Sequence, residues 1–207
     1  MSKGLFITFE GLDGAGKSTQ IHKVKEIFEN KGYEVVLTRE PGGTEISEKI
    51  REIILDNEND EMSFVTEALL YAASRAQHVH EKIKPALDAG KVVICDRYVH
   101  SSIAYQGYGR QLGADKVMQI NSYAIEGIMP DISFFILLPS DKAMERLKNS
   151  QRELDRLEVE KIDFFKRIEK GYNQIAEDYD NIIKIDASKS VEEIAEEIKY
   201  LIEKKAF

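Results

Sequence analysis

A chain of 207 residues is long enough to bury a substantial core, and its composition, 43% hydrophobic and 32% charged, is typical of an ordinary soluble globular protein. Its formal charge of −8 argues against a protein that coats nucleic acid, because binding along a phosphate backbone normally needs a basic surface. A small basic pocket for a single nucleotide is still compatible with that charge.

The cysteine count and the N-terminal sequence indicate the cellular compartment in which the protein is expected. Cys95 is the single cysteine, so an intrachain disulfide is impossible, which suits a reducing compartment. No apolar run approaches the ~20 residues that cross a bilayer. Residues 1–6 carry one lysine and lead directly into a strand-like segment, so we expect no signal peptide and a cytoplasmic protein.

Five short apolar segments alternate with segments of helical spacing. Strands are predicted at 4–10, 33–38, 91–95, 131–138 and 181–186. Helices are predicted from 17 to about 31, and at 45–55, 63–87, 101–105, 115–127 and 191–204. Such a pattern is typical of a parallel sheet with helices on both faces, in which ligands bind beyond the carboxyl ends of the strands. The sequence contains no linker, internal repeat or low-complexity block, so we predict one domain over 1–207.

The segment 11–18, between the first predicted strand and the first predicted helix, reads G-L-D-G-A-G-K-S and matches G-x-x-x-x-G-K-[ST]. Glycines let backbone N–H groups converge on phosphate oxygens, and the helix N-terminus adds the positive end of its dipole. Lys17 would reach the β- and γ-phosphates, and the Ser18 hydroxyl would bind Mg²⁺. The alternative is a chance glycine-rich turn, which the strand–loop–helix context disfavours. The predicted ATP-binding residues here are Gly11, Leu12, Asp13, Gly14, Ala15, Gly16, Lys17, Ser18 and Thr19.

Charged residues follow the next two predicted strands. Residues 38–44 read T-R-E-P-G-G-T, and residues 95–98 read C-D-R-Y. Asp96 has the position of a Walker-B acid that orders Mg²⁺ or its waters, and the planar fork of Arg97 suits a phosphate group. The alternative for Asp96 is a structural ion pair with a neighbouring arginine.

Tyr71 and Arg75 are four residues apart on a predicted helix, and therefore share one face. A ring and a guanidinium on one face could stack on a base and bond its edge. Taken alone, these two residues favour a plainer interpretation, with Tyr71 in the core and Arg75 in solvent, because an apolar stripe at helical spacing usually packs in the core.

The sequence resembles the thymidylate kinase family. The blocks F-E-G-L-D-G-A-G-K-S-T, T-R-E-P-G-G-T, E-A-L-L-Y-A-A-S-R, C-D-R-Y and S-S-I-A-Y-Q-G occur in that family's order and spacing. The resemblance runs from about Leu5 to the closing helix. It implies a P-loop NTPase-type α/β fold, a three-layer sandwich with a five-stranded parallel sheet. It further implies transfer of the γ-phosphoryl of ATP to dTMP with Mg²⁺, and a homodimer joined through helices.

The resemblance also implies roles for individual residues. Asp13 would meet the 3′-hydroxyl of the acceptor, Arg97 its phosphate, and Arg75 the carbonyl edge of thymine. Tyr71 stands where the family usually has a phenylalanine stacked on thymine, and Tyr105 would crowd the 2′ position of the sugar. Arg146, in the helix after the fourth strand, would lie against adenine. The predicted dTMP-binding residues are Asp13, Arg39, Glu40, Arg51, Tyr71, Arg75, Arg97, Ser102, Tyr105 and Gln106.

A charged segment at about 148–158 is the predicted lid. Phosphoryl transfer needs positive charge on the transferring group and exclusion of water, commonly supplied by a closing segment. Some family members carry an arginine at the position of Ala15, and this sequence resembles the branch with basic residues in the lid instead. We therefore predict Lys17, Arg97, Arg156 and Arg152 as catalytic residues, with Arg156 before Arg152. A solvated charged loop is the alternative.

Two other functions fit parts of the pattern. One is a kinase for another nucleoside monophosphate or for a deoxynucleoside. The other is a P-loop switch protein that transfers nothing. The sequence has no N-K-x-D guanine-reading motif and is rich in arginines on the acceptor side, which argues against a switch.

Overall fold

The computed structural model describes residues 4–149 and 153–206, and its centre is a five-stranded parallel sheet. The strand order is β2-β3-β1-β4-β5. The strands span Leu5–Glu10 (β1), Val35–Arg39 (β2), Val92–Asp96 (β3), Ile132–Leu137 (β4) and Ile182–Asp186 (β5). All five lie within one to two residues of the predicted segments, and the predicted α/β fold is confirmed.

Helices connect the strands and cover both faces of the sheet. They span Lys17–Asn30 (α1), Glu45–Leu55 (α2), Phe64–His78 (α3), Lys84–Asp88 (α4), Val99–Ser102 (α5), Ala114–Ala124 (α6), Ser140–Lys148 (α7), Ile162–Asp178 (α8) and Val191–Ala206 (α9). Within the described residues, no helix is both long and apolar enough to cross a membrane.

The side chains of β1 alternate between the two faces, as strand geometry requires. Ile7 and Phe9 join the same buried cluster as Val24 and Phe28 of α1. Phe6, on the other face, packs in a second cluster that includes Val79 and Ile83 after α3. Burial on both faces explains why the central strands are apolar throughout.

Two helical predictions differ from the structure in detail. The single helix predicted at 63–87 is interrupted by a π-helical turn, Val79–Ile83, before α4. A second π-helical segment, Ile103–Gly109, continues from α5 beyond the predicted end at 105. π-Helical turns widen a helix locally and are frequent at functional sites, and this second one carries Tyr105 and Gln106.

Candidate active site

The phosphate loop lies between β1 and α1, as predicted. Gly11 has φ 136°, and a Cβ there would overlap the carbonyl oxygen of Ile136 on the neighbouring strand. Gly16 has φ 91° immediately before α1, a left-handed conformation that glycine adopts without strain. These two positions therefore need glycine, and the loop is more than a chance glycine-rich turn. The N-terminus of α1 opens onto it and provides N–H groups for an anion.

Lys17 and Arg146 place positive charge at this loop. The buried Lys17 ammonium donates to the carbonyl oxygens of Gly11 and Leu12, each at 3.1 Å. Burial lowers the pKa of Lys17, and nearby Arg97 lowers it further. From α7, Arg146 donates to the carbonyl oxygen of Gly14 at 2.8 Å, which brings its guanidinium against the phosphate loop.

Ser18 and Asp96 are suited to hold a magnesium ion. Both line one open cavity, Ser18 from the start of α1 and Asp96 from the end of β3. The Oδ1 atom of Asp96 is buried without a hydrogen-bond partner among the described residues. An arginine ion pair, the alternative for Asp96, is not found in the described part of the chain. A hydroxyl and an unpaired carboxylate oxygen are ligands that Mg²⁺ accepts beside phosphate oxygens.

A second cavity, of about 200 Å³, reaches the phosphate loop at Asp13. We call it the acceptor cavity. Every residue predicted for dTMP except Arg39 lines it: Asp13, Glu40, Arg51, Tyr71, Arg75, Arg97, Ser102, Tyr105 and Gln106. Arg39 instead pairs with Glu48 at 2.9 Å and lines the open cavity beside Ser18.

Arg97 links the acceptor cavity to the phosphate loop. Its Nη2 donates to Asp13 Oδ1 at 2.7 Å, and its Nη1 donates to the Gly11 carbonyl oxygen at 2.7 Å. The guanidinium carbon lies 5.1 Å from the centre of the Tyr105 ring. Burial by itself lowers the pKa of Arg97, but Asp13 and Tyr105 outweigh it and raise the pKa above its ordinary value. Arg97 is therefore a fixed cation at the place where the phosphate loop meets the acceptor cavity.

Arg75 is not in solvent, so the plainer interpretation of the Tyr71–Arg75 pair is wrong for it. The side chain is 2% exposed, and its Nε donates to Glu40 Oε2 at 2.7 Å. Its Nη1 donates to Ser102 Oγ at 3.0 Å and to Asn121 Oδ1. These partners hold the guanidinium at the wall of the acceptor cavity. Tyr71, partly buried, lines the same wall.

The lid segment contributes to the acceptor cavity through Asp155, Leu157 and Glu158. Arg156 is 7% exposed, and its side-chain hydrogen bonds go to α2 and α3 rather than to the phosphate loop. It donates to Glu67 Oε2 at 2.7 Å and to the Ile54 carbonyl oxygen at 2.9 Å. A solvated loop is therefore the wrong description for Arg156 and Glu158, which are both buried. Arg152 lies outside the described residues. The role of Arg156 at the transferring group stays a prediction.

Sequence reasoning missed a polar network behind Arg97. Arg97 Nη1 donates to Ser101 Oγ at 3.2 Å and to the Tyr172 hydroxyl at 3.3 Å. Ser101 Oγ in turn donates to Glu10, whose carboxylate also accepts from the Tyr98 N–H at 2.9 Å. Burial raises the pKa of Glu10 to about 7. The one sequence feature that could have indicated a role for Glu10 is its acidic side chain at the end of a largely apolar strand. No sequence feature indicated that Tyr172 on α8 belongs to this network.

Lys17 and Arg97 thus meet at one loop, where both donate to the Gly11 carbonyl oxygen, Lys17 from the start of α1 and Arg97 from the wall of the acceptor cavity. This fold and arrangement define a P-loop phosphotransferase of the nucleotide kinase class.

Comparison with known proteins narrows the class. The family profile described as Thymidylate kinase matches residues 9–198. A thymidylate kinase of Geobacillus sp. (strain WCH70) is 52% identical over 194 residues, covering 93% of this chain and 92% of the relative. Those of Clostridium novyi (47% over 201 residues; 96% and 98%) and Finegoldia magna (52% over 190 residues; 92% and 93%) are also similar. The chain belongs to the thymidylate kinase family.

Proposed function

We propose that this protein transfers the γ-phosphoryl group of ATP to dTMP, giving ADP and dTDP. The observation that carries the proposal is the position of Arg97, which is tied to the phosphate loop through Gly11 and Asp13 while it lines the acceptor cavity. A phosphate bound to Arg97 would lie next to the loop that binds the γ-phosphate.

The proposed mechanism is in-line transfer that depends on positioning and charge. Lys17 holds the β- and γ-phosphates, Arg97 holds the acceptor phosphate, and a lid arginine completes the neutralisation of the transferring group. Ser18 and Asp96 would hold Mg²⁺, which supplies further positive charge at the β- and γ-phosphate oxygens when bound. No side chain needs to act as general base, because the attacking phosphate oxygen is already an anion at neutral pH.

The remaining contacts select the acceptor. The Tyr71 ring offers a stacking surface for the base, and Arg75 offers a donor for a carbonyl on the base edge. The Tyr105 ring packs beside the Arg97–Asp13 ion pair, with its hydroxyl 3.5 Å from Asp13 Oδ2. A ring in that place would crowd a 2′-hydroxyl, while Asp13 accepts from the 3′-hydroxyl. Arg51, anchored to the Pro41 carbonyl oxygen at 3.0 Å, adds charge near the acceptor phosphate.

The acceptor assignment is tested by measuring ADP formation from Mg-ATP with dTMP, dCMP, AMP, CMP, GMP or UMP in turn. We expect dTMP to support turnover far above every other acceptor in this set. Equal ADP formation with and without dTMP would exclude the proposed activity.

We also propose that the protein is a homodimer joined through helices. Exposed apolar side chains lie on α3 and on α6, which packs against it: Val65 and Leu69 are 53% and 52% exposed, and Tyr123 is 90% exposed. Val65 and Leu69 are four residues apart and share a face. Light scattering should give twice the chain mass for the parent, and Leu69→Glu should give the single-chain mass. A monomeric parent at micromolar concentration would exclude the dimer.

The expected place of action is the cytoplasm. Its support is the single cysteine, which is a free buried thiol in the structure, as suits a reducing compartment. Fractionation of the source cells, with the activity measured in each fraction, tests this expectation.

A further inference from the structure

We propose that Glu67 is a positioning residue that sets base specificity by fixing the orientation of the Gln106 amide. The inference deepens the proposed function and rests on it, since it concerns how the acceptor cavity distinguishes one pyrimidine from another. Glu67 itself does not line the cavity.

Glu67 lies on α3, fully buried, and each of its carboxylate oxygens accepts two hydrogen bonds. Oε1 accepts from Gln106 Nε2 at 3.0 Å and from Arg110 Nε at 3.2 Å. Oε2 accepts from Arg110 Nη2 at 3.1 Å and from Arg156 Nη2 at 2.7 Å. The two guanidinium groups make this a buried, paired carboxylate.

A carboxylate paired in this way has no proton to donate and can only accept. Only the NH₂ group of Gln106 can therefore face Glu67, and the amide oxygen must point the other way. That oxygen, Gln106 Oε1, is buried and has no partner among the described residues. Gln106 lines the acceptor cavity, and the proposal assigns this unpaired oxygen to a hydrogen-bond donor on the bound base.

An unpaired buried acceptor is unfavourable, and a ligand that brings a donor to it removes that penalty. Thymine and uracil carry a ring N–H between their two carbonyl groups. Cytosine has an unprotonated nitrogen at the same ring position. That nitrogen and the Gln106 oxygen are both acceptors, so they cannot form a hydrogen bond with each other. With Arg75 donating to a ring carbonyl, this orientation of Gln106 favours a base with the ring N–H.

Glu67 also holds Arg156, so a change at Glu67 disturbs the lid segment as well as Gln106. A matched control separates the two effects. Glu160, two residues beyond the lid segment, pairs with Arg110, whereas the hydrogen bond of Gln106 goes to Glu67. Glu160→Gln removes a charge that pairs with Arg110, which also pairs with Glu67. The hydrogen bond between Gln106 and Glu67 stays in place.

The test is the ratio of kcat/KM for dTMP to kcat/KM for dCMP, measured for parent, Glu67→Gln and Glu160→Gln. An amide at position 67 can donate to Gln106 Oε1, which lets Gln106 turn its NH₂ group toward the cavity. We expect the ratio to fall by ~10-fold or more in Glu67→Gln, the equivalent of one misplaced hydrogen bond. In Glu160→Gln the ratio should match the parent. A purely structural role would lower both kcat/KM values equally and leave the ratio unchanged, which overturns the proposal.

The same substitution in a Gln106→Ala background provides a second test. Without the Gln106 amide, Glu67→Gln should no longer change the ratio, and a change of equal size there would overturn the proposal. If Glu67→Gln lacks the circular dichroism spectrum of the parent, Glu67→Asp is measured instead. That variant keeps the charge toward the arginines and withdraws the oxygen from Gln106, so an unchanged ratio again overturns the proposal. Failure of the parent to prefer dTMP over dCMP would contradict the proposed function instead, so the two failures are distinct.

Discussion

Asp13 of the phosphate loop and Arg97 after β3 form an ion pair, with Oδ1 and Nη2 2.7 Å apart, where the phosphate loop meets the acceptor cavity. Arg97 reaches this position with φ 68°, a left-handed conformation that is uncommon for a residue with a side chain. The backbone is held there by a hydrogen bond from the Arg97 N–H to the Phe9 carbonyl oxygen at 2.9 Å. The guanidinium is thereby fixed before any phosphate arrives, which reduces the ordering cost of binding.

Arg97→Ala should weaken dTMP binding and also lower turnover. A charge-assisted phosphate contact is lost, so we expect a loss of about 2–3 kcal/mol in binding free energy, measured by titration calorimetry. Lys49→Ala, which removes an exposed lysine on α2, is the matched charge control and should bind dTMP like the parent. Normal dTMP binding by Arg97→Ala would mean that the acceptor phosphate binds elsewhere.

Tyr105 should exclude ribonucleotides by the bulk of its ring. Tyr105→Ala should narrow the kcat/KM gap between dTMP and its ribose counterpart, mainly because the variant accepts the 2′-hydroxyl. Tyr105→Phe keeps the ring and should keep the preference. If the Ala variant preserves the parent's ratio, another group must contact the 2′ position.

Arg156 has two possible effects, which its kinetic constants distinguish. If the lid moves and Arg156 leaves Glu67 for the transferring group, Arg156→Ala should lower kcat by roughly 10³-fold and leave the KM for dTMP within a few-fold. Arg156→Lys should recover little, because a point charge cannot bridge two oxygens as a planar fork does. A raised KM with kcat unchanged would show instead that Arg156 only shapes the acceptor cavity.

Glu10 should make the protein less stable as pH rises. Burial raises its pKa from an ordinary value of 4.5 to about 7, so the folded protein retains a proton that the unfolded chain has released. The free energy of unfolding should therefore fall on the order of 3 kcal/mol between pH 4.5 and 7 from this group. His100, whose pKa burial lowers to about 3, contributes the opposite slope below pH 6.5, so the comparison must be between variant and parent.

Glu10→Gln isolates this contribution. Chemical denaturation of variant and parent from pH 4.5 to 8 should show the variant gaining stability relative to the parent as pH rises. A difference that does not change with pH would mean that the pKa of Glu10 in the folded protein is not raised above its ordinary value.

Much of the site could be predicted because parallel sheets bring the carboxyl ends of their strands together. Arg97 and Glu40 follow neighbouring strands, and both reached the acceptor cavity as expected. The environment of Arg75 could not be deduced from helical spacing, because burial there depends on Glu40 and Asn121, which are distant in sequence. Arg39 is the last residue of the strand that Glu40 follows, and it points to Glu48 instead, since adjacent residues in an extended chain face opposite ways.

Residues that support the site from behind gave little or no sequence signal. Tyr172 reaches Arg97 only because α8 packs on the π-helical segment Ile103–Gly109. Glu67 lies in the E-A-L-L-Y-A-A-S-R block, but its partners come from two other segments of the chain. Hydrogen bonds between such distant segments depend on tertiary packing, which no local periodicity encodes.

Transfer from ATP to dTMP is tested most directly by quantifying every product in one reaction that contains the protein, Mg-ATP and dTMP. We predict that dTDP and ADP form in a one-to-one ratio without inorganic phosphate, and that Lys17→Ala lowers both by several orders of magnitude. ADP accompanied by an equal amount of inorganic phosphate, with no dTDP, would show a hydrolase or switch and would contradict the proposed transfer.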